Sequence, residues 1–557
     1  MTRRVISAVK LFGLNSLGIA AFLLFALSPG VLFGFLAGAA AIGIAWYRYR
    51  KGGMGKAVVV RLLVLTGIIT TYVPSLQDTN DYGLLVATAL TMVVVVNEST
   101  VARAAGKGRL AVANLPDIAA RNELVFDSDL IFHADTGMVV LIGAFAAAGL
   151  PSWPLALAAC VVCVGVAALL VDARRLIRHN NETWSAFRDA LETHNPSFAV
   201  YFSGPPGVLY QLAMWLPYFE RLELPYVVVL RERHSFDTIR SLTAAPVVQC
   251  TSIASLDNVA TMPNLHAVFY VNNGMKNSHF VKYRHLTHIQ LLHGDSDKPP
   301  SFNPVTGMYD RIFVAGRAGI DRYANHGVQI PEAKFDVVGR PQVETIDVTS
   351  VHIGDVGDKV VLYAPTWTGY SEDVNYCSLP VARKMMRRLL DRDVTVILRE
   401  HPYTTKNPES ARQLAALQQM LAADARATGR KHLFGAAATE ELTIVDCFNR
   451  ADALISDVSS VVSDFLFSKK PFAITDMVDE GEAFVETFPL ARAAYVFRRD
   501  MSNVDDVLDQ LLKLDPLETT RQQARTYYLG DYPVETYAEA FVERARHYAV
   551  TPHELVT

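Results

Sequence analysis

Apolar residues crowd the first third of this 557-residue chain and thin out after about residue 172. They fall into six runs: Leu11–Leu27, Val31–Tyr47, Ala57–Val73, Tyr82–Val96, Thr136–Leu150 and Trp153–Val171. A helix needs roughly 17 to 25 apolar residues to cross a bilayer. The first three runs and the last reach that length. Tyr82–Val96 and Thr136–Leu150 are short, as thin spans, re-entrant segments or interfacial segments would be. The first run is followed at once by another, which is not the pattern of a cleaved signal peptide. Charged residues make up only 19% of the whole chain, low for a wholly soluble protein.

Basic residues sit in alternate gaps between these runs. Arg3, Arg4 and Lys10 precede the first, and Arg48, Arg50, Lys51 and Lys56 lie between the second and third. Arg103, Lys107 and Arg109 follow the fourth, and Arg174, Arg175 and Arg178 the sixth. The intervening gaps, Ser28–Gly30, Pro74–Asp81 and Pro151–Ser152, hold no Lys or Arg. Positive charge is retained on the cytoplasmic side, so the expectation is a multi-pass membrane domain of six spans with both termini inside. Arg61 is expected to snorkel out of its span. No predicted span carries an acidic residue or a histidine at mid-depth, which speaks against a proton-coupled transporter.

From about Asn195 short β-branched runs alternate with amphipathic stretches, the pattern of a parallel-sheet α/β architecture. Strands are expected at Phe198–Phe202, Tyr226–Leu230, Ala267–Val271, His288–Leu292, Arg311–Ala315 and Phe335–Val338. Gly339-Arg340-Pro341 then reads as a turn closing a first lobe. A second lobe is expected to use Val360–Tyr363, Thr395–Leu398, Ala453–Ile455 and Phe472–Ile474. Helices are read at Arg317–Asn325, Pro380–Asp391 and Ser410–Ala427. The predicted division is 1–171 membrane domain, 172–196 linker helix, 197–345 first Rossmann-like lobe and 346–557 second. The stretch Asp515–Thr557 reads as helices returning toward the first lobe.

With 52 Lys and Arg against 56 Asp and Glu, net charge is −4, which argues against nucleic acid as a partner. Five cysteines are too few and too scattered for a disulfide framework. Cys160 and Cys163 form a C-x-x-C inside an apolar run, where they read as small buried hydrophobes.

Ligands of such sheets sit beyond the carboxyl ends of strands, and four segments stand there. His293-Gly294 follows an apolar strand and suits a general base, or a loop histidine bonded to backbone. Tyr363-Ala364-Pro365-Thr366-Trp367-Thr368 offers hydroxyls to phosphate, or simply ends a strand. Arg399-Glu400-His401-Pro402 offers a phosphate-binding guanidinium and an imidazole for a leaving phosphate; a structural Arg–Glu pair is the plainer alternative. Ser456-Asp457-Val458-Ser459-Ser460 opens an apolar helix, where hydroxyls and unpaired N–H groups favour an anion. Ordinary capping explains one serine there but not Asp457 with two. No metal-ligand cluster or Walker-type lysine loop is recognisable, so neither metal nor cofactor is expected.

Taken in order, His293-Gly294, Tyr363-Ala364-Pro365-Thr366-Trp367, His401-Pro402, Ser456-Asp457-x-Ser459-Ser460, Asp464-Phe465 and Lys470-Pro471 resemble the CDP-glycerol glycerophosphotransferase family, the teichoic-acid primases and polymerases. The resemblance covers roughly residues 200 to 545. It implies a GT-B fold and transfer of glycerol phosphate, or a related polyol phosphate, from CDP-glycerol to a hydroxyl of a lipid-linked or cell-wall acceptor, releasing CMP. His293 would be the base on the acceptor and His401 would serve the diphosphate. Gly294, Thr366, Arg399, Asp457, Ser459, Ser460 and Asp464 would form the donor and phosphate site, with Asp464 near the ribose or shaping the loop. Two positions depart from the family pattern. Asp295 and Ser296, then Lys298, follow His-Gly where a threonine is usual, and Val458 replaces the usual tyrosine before the serine pair. Two other readings compete: a GT-B glycosyltransferase using a nucleotide sugar, and a non-enzymatic export or scaffold protein.

Overall fold

The computed structural model describes residues 2–27, 31–49, 57–75, 80–106, 111–116, 118, 129–294, 299–369 and 375–553. Arg50, Lys51, Lys56, Lys107 and Arg109 of the charge pattern lie outside the described residues, as do Asp295, Ser296 and Lys298. The chain forms two bodies, one comprising Met1–Val112 and Pro116–Asp189, the other Ala113–Leu115 and Ala190–Thr557.

The first body is built from apolar helices. Gly83–Ala104, Asp129–Ala148 and Trp153–His194 are long and apolar enough to cross a membrane, and Gly13–Leu27, Leu32–Arg48 and Val58–Tyr72 are shorter apolar helices. The first, second and last runs lie in helices of 26, 19 and 42 residues, while the two runs expected to be short lie in helices of 24 and 20 residues. The two runs read as short continue as helix into polar sequence, through Asn97-Glu98-Ser99 at one end and from Asp129 to Asp135 at the other. The last run does not hand over to a separate linker, because Trp153–His194 is one 42-residue helix.

The polar extensions carry the body's central contact. The Arg61 guanidinium bonds the carboxylates of Glu98 and Asp135, the latter at 2.8 Å, and lies 5.0 Å from the centre of the Phe132 ring. All three charged residues are 0–1% exposed. Arg61 therefore does not snorkel, which corrects that expectation; Glu98 and Asp135 stand in the same helices just outside the predicted spans. The physical reason is mutual. Leucine-rich surroundings cannot solvate either sign alone, but one cation between two anions on different helices supplies each with a partner. A hydropathy reading stops at each charge because it cannot see the counter-charge 37 or 74 residues away.

Asp81 makes a second tie. Its Oδ1 accepts from Gly83 N–H at 3.1 Å and Ser152 Oγ–H at 2.6 Å, and its Oδ2 accepts from Ser152 N–H at 2.8 Å. One carboxylate thus joins the starts of two helices.

The second body holds two parallel sheets. The first contains β1 (Phe198–Phe202), β2 (Tyr226–Leu230), β3 (Val247–Gln249), β4 (Ala267–Tyr270), β5 (Thr287–Gln290), β6 (Arg311–Val314) and β7 (Phe335–Val337). Their order across the sheet is β3-β2-β1-β4-β5-β6-β7. The second contains β8 (Val360–Ala364), β9 (Thr395–Leu398), β10 (Leu433–Phe434), β11 (Ala453–Ser456), β12 (Phe472–Asp476) and β13 (Tyr495–Arg498), ordered β10-β9-β8-β11-β12-β13. Central strands such as Phe-Ala-Val-Tyr-Phe and Tyr-Val-Val-Val-Leu are buried on both faces, so they read as unbroken apolar runs. This is a GT-B-like pair of α/β lobes.

Each order reverses direction once, between β1 and β4 and between β8 and β11. Crevices for ligands open at such points, beyond the carboxyl ends of the strands. Registers pair Val200 with Phe269, and Leu362 with Leu454, so the two ends at each point stand level. The helix Glu539–Val550 is built into the first lobe, where Phe541 meets Trp215 at 5.1 Å and Phe313 at 6.1 Å between ring centres. The returning tail expected from sequence is this helix.

Replacing Arg61 with leucine should strand two buried carboxylates and cost about 3–5 kcal/mol. Replacing Arg61, Glu98 and Asp135 together with apolar residues of similar size should recover most of that loss. Thermal unfolding of the detergent-solubilised chain distinguishes the two. Equal losses would show that the triad is not held by charge balance.

Candidate active site

His293 is placed by the backbone before it. After β5, Leu292 adopts φ +56°, a left-handed conformation that costs an ordinary L-residue roughly 1–2 kcal/mol. Two bonds hold it there: Leu292 N–H donates to Gln290 Oε1 at 3.0 Å, and Trp215 Nε1–H donates to the Leu292 carbonyl at 2.9 Å. Strain of this kind persists where surrounding structure over-determines it.

The imidazole is then fixed by a chain of amides. Asn272 Nδ2 donates to Gln211 Oε1 at 3.0 Å, which turns the Gln211 amide nitrogen toward His293 Nε2 at 3.1 Å. Nε2 therefore accepts, and Nδ1–H donates to the Val271 carbonyl at 3.3 Å. The lone pair a base would use is on Nε2. Burial lowers the pKa of His293 to about 4, the Arg340 guanidinium pushing the same way against the Val271 bond. At neutral pH the ring is uncharged.

In the second lobe the loops after β8 and β11 are locked together by Asp457. This fully buried carboxylate accepts through Oδ2 from Thr366 N–H at 2.8 Å and Ser378 N–H at 3.2 Å. Beside it Ser456 Oγ–H donates to the Ala364 carbonyl at 2.7 Å. Ser459 caps the helix Ser460–Phe465, its hydroxyl accepting from Val461 N–H at 3.4 Å. Arg399, at the end of β9, spends Nη1 on the Ala438 carbonyl and, at 2.8 Å, on that of Leu442. That bond set ties a strand to its neighbouring segment. His401 Nδ1 accepts the Tyr403 N–H at 3.1 Å, so in the neutral ring the proton lies on Nε2. The ring stacks on Trp367 with centres 5.9 Å apart and planes inclined by 22°. A stacked imidazole with Nε2–H is suited to donate to a phosphate oxygen.

The lobes meet at these same loops. A methyl group added to Gly294 would lie 3.3 Å from both Cβ and Oγ of Ser460. One added to Gly207, in the loop after β1, would lie 3.2 Å from the Tyr403 hydroxyl. Arg340 pairs with Asp464 across the same junction. The structure thus gathers His293, Gly294, Ser459, Ser460 and Asp464 at one seam, with Thr366, Asp457, His401 and Tyr403 on the strand ends of the second lobe. Gln211, Trp215 and Asn272 escaped the sequence reading. None carries a motif, and Gln211 and Trp215 lie far from His293 in the chain; the polar residues Gln290, ending a buried strand, and Asn272, just beyond another, were the available signal.

Among the described residues, His352, Asp515 and Glu518 bring possible metal-ligand atoms within 4.8 Å of one another, but Asp515 is already paired with Arg521 and none is a site residue named above.

Residues 335–481 match the sequence profile of the family described as CDP-Glycerol:Poly(glycerophosphate) glycerophosphotransferase. Over those residues the chain is glycerophosphotransferase-like. The matched segment contains Thr366, Arg399, His401, Asp457, Ser459, Ser460 and Asp464, while His293 and Gly294 lie before it. No curated protein matches the chain. Among solved structures it is similar to MnaA of S. aureus with UDP, at 16% identity and TM-score 0.43, covering 63% of this chain and 96% of that one. It is similar also to a putative UDP-N-acetylglucosamine 2-epimerase from Listeria monocytogenes, at 14% identity and TM-score 0.43, covering 65% and 99%. A CDPG-soaked variant of the wall teichoic acid polymerase TagF shows 14% identity and TM-score 0.40, covering 68% and 95%.

The lowered pKa of His293 has a consequence for stability. The unfolded ring titrates near 6.5 and the folded ring near 4, so between those values the unfolded chain holds more protons. Stability is full above about pH 6.5 and falls as pH drops toward 4. Denaturant unfolding at pH 7 and pH 5 should show a loss about 1–2 kcal/mol larger in the native sequence than in His293→Asn. Equal losses would mean that the ring titrates normally.

Proposed function

We propose that the protein is a membrane-anchored transferase that moves glycerol phosphate, or a related polyol phosphate, from a CDP-activated donor to a hydroxyl of a lipid-linked or cell-wall polymer acceptor. The observation that carries this reading is the meeting, at one seam, of Gly294, which directly follows the buried His293 of the first lobe, with Ser460 of the glycerophosphotransferase-like segment. The apolar helices support anchoring, with six spans and both termini cytoplasmic.

In the reaction His293 Nε2 takes the proton of the acceptor hydroxyl, which displaces the Gln211 amide from that lone pair. The acceptor oxygen attacks the phosphorus bearing glycerol. The bond from that phosphorus to the bridging oxygen breaks, and the bridging oxygen leaves with CMP. His401 Nε2–H donates to the departing phosphate, and Ser459 and Ser460 donate to the transferred one. Thr366 and Gly294 line the space between. Asp457 acts through the backbone it holds. Phosphoryl transfer is largely positioning and charge stabilisation, which fixed hydroxyls and imidazoles supply. The lowered pKa keeps the ring in its accepting form at physiological pH but makes it a weaker base than a free histidine, so its contribution rests on placement.

Detergent-solubilised protein given CDP-glycerol and a lipid-linked acceptor should release CMP. His293→Ala should slow release by about 10²–10⁴-fold, and His401→Ala should slow it comparably. Release from a nucleotide sugar but not from CDP-glycerol would replace this reading with a glycosyltransferase. Unchanged release in His293→Ala would remove the base assignment.

A further inference from the structure

Asp464 was expected from sequence to lie near the donor ribose or to shape its loop. Both of its carboxylate oxygens are engaged by one residue. Arg340 bonds Asp464 Oδ1 through Nε, and Oδ2 through Nη2 at 3.1 Å. The same Nη2 approaches the backbone carbonyl of His293 at 3.5 Å. The Arg340 side chain is 7% exposed. Its backbone is equally committed: Arg340 N–H donates to the Tyr537 hydroxyl at 3.1 Å, and that hydroxyl donates to the Leu529 carbonyl at 2.6 Å. Gly339 makes the approach possible, with φ +71° and its α-carbon face only 3.1 Å, measured from an added methyl, from the Tyr537 ring. A side chain there would push Arg340 off this support.

Asp464 lies one helical turn beyond Ser460 on the same short helix. One guanidinium therefore reaches the carbonyl of His293 on one lobe and the helix bearing Ser460 on the other. It does so where Gly294 and Ser460 come within van der Waals range. A planar, two-pronged ion pair fixes angle as well as distance, which a lysine cannot do.

We propose that Arg340 is a positioning residue which, through Asp464, sets the separation and orientation of His293 relative to Ser459 and Ser460, and that Asp464 serves as its anchor rather than as a donor ligand. The kinetic half of this proposal rests on the transferase reading above; the geometric half does not.

The kinetic test uses Arg340→Gln, Arg340→Lys, Asp464→Asn and the Gln/Asn double variant in the full chain, with CDP-glycerol and the lipid-linked acceptor. A misplacement on the ångström scale costs on the order of 10²-fold in turnover. Each neutralising single variant should lose about that much kcat with donor KM within about threefold of the native value. Lysine should recover part of it. The double variant should fall within about threefold of the worse single, whereas independent effects would multiply to about 10⁴-fold. A raised donor KM with kcat retained in Asp464→Asn would make Asp464 a donor contact and overturn the proposal, as would multiplicative losses.

The geometric test needs no donor. Cysteines at Gly294 and Ser460 stand at a spacing compatible with a disulfide, so oxidation should crosslink them readily. Adding Arg340→Gln should slow crosslinking at least about tenfold, and adding Arg340→Lys should slow it less. Unchanged crosslinking would overturn the positioning role. Slowed crosslinking, together with no CMP release by the native sequence, would uphold it and remove the transferase reading instead.

Discussion

A carboxylate sealed from water must be satisfied by whatever lies beside it, and Asp457 is satisfied by the peptide N–H groups of Thr366 and Ser378. Those groups belong to the loop leaving β8, while Asp457 itself leaves β11. The bond thus bridges the two strands between which the second sheet changes direction. Parallel strands deliver their ends to one edge, but the loops beyond have no ladder to hold them. Asp457 supplies that missing constraint. The placement of Thr366, Ser459 and Ser460 follows from it, and so does the surface that the second lobe turns toward the first.

The first lobe solves the corresponding problem with strain. Leu292 is turned into the left-handed region and held there by Gln290 and Trp215, so His293 leaves the strand at an angle that a relaxed extended chain would not give. The amide chain from Asn272 through Gln211 then selects which imidazole nitrogen bears the proton. One lobe places its groups by a buried charge and the other by a strained turn with a chain of amides.

The sequence made the strands legible where they are central. Phe198–Phe202, Tyr226–Leu230 and Thr395–Leu398 coincide with the observed β1, β2 and β9, because burial on both faces leaves an uninterrupted apolar run. Val247–Gln249 and Leu433–Phe434 were missed; with three and two residues, neither is long enough to show a period. In the site, the residues that sit on strand ends were readable, since the α/β architecture says where to look. Gln211, Trp215 and Arg340 were not, because their importance comes from a partner 82, 77 or 124 residues away. The same blindness explains Arg61. Read alone, it is a cation that ought to escape; beside Glu98 and Asp135 it is the reason two helices continue past their apolar runs.

Arg340 shows how these long-range pairings shape chemistry as well as fold. The guanidinium that joins the lobes also lies against the backbone of His293, and it adds to the burial that keeps that imidazole neutral. An imidazole held neutral chiefly by burial, with the guanidinium adding to it, is a weaker base than a free histidine, so it gains nothing from proton affinity alone. What it gains is placement. The same guanidinium that adds to this weakening ties the His293 backbone to the helix that bears Ser460. For a transfer limited by alignment of acceptor oxygen and phosphorus, an always-available weak base at the right distance is the better exchange. The ion pair between the lobes is therefore part of the electrostatics of the site, and its removal would alter the imidazole's proton affinity and its position together.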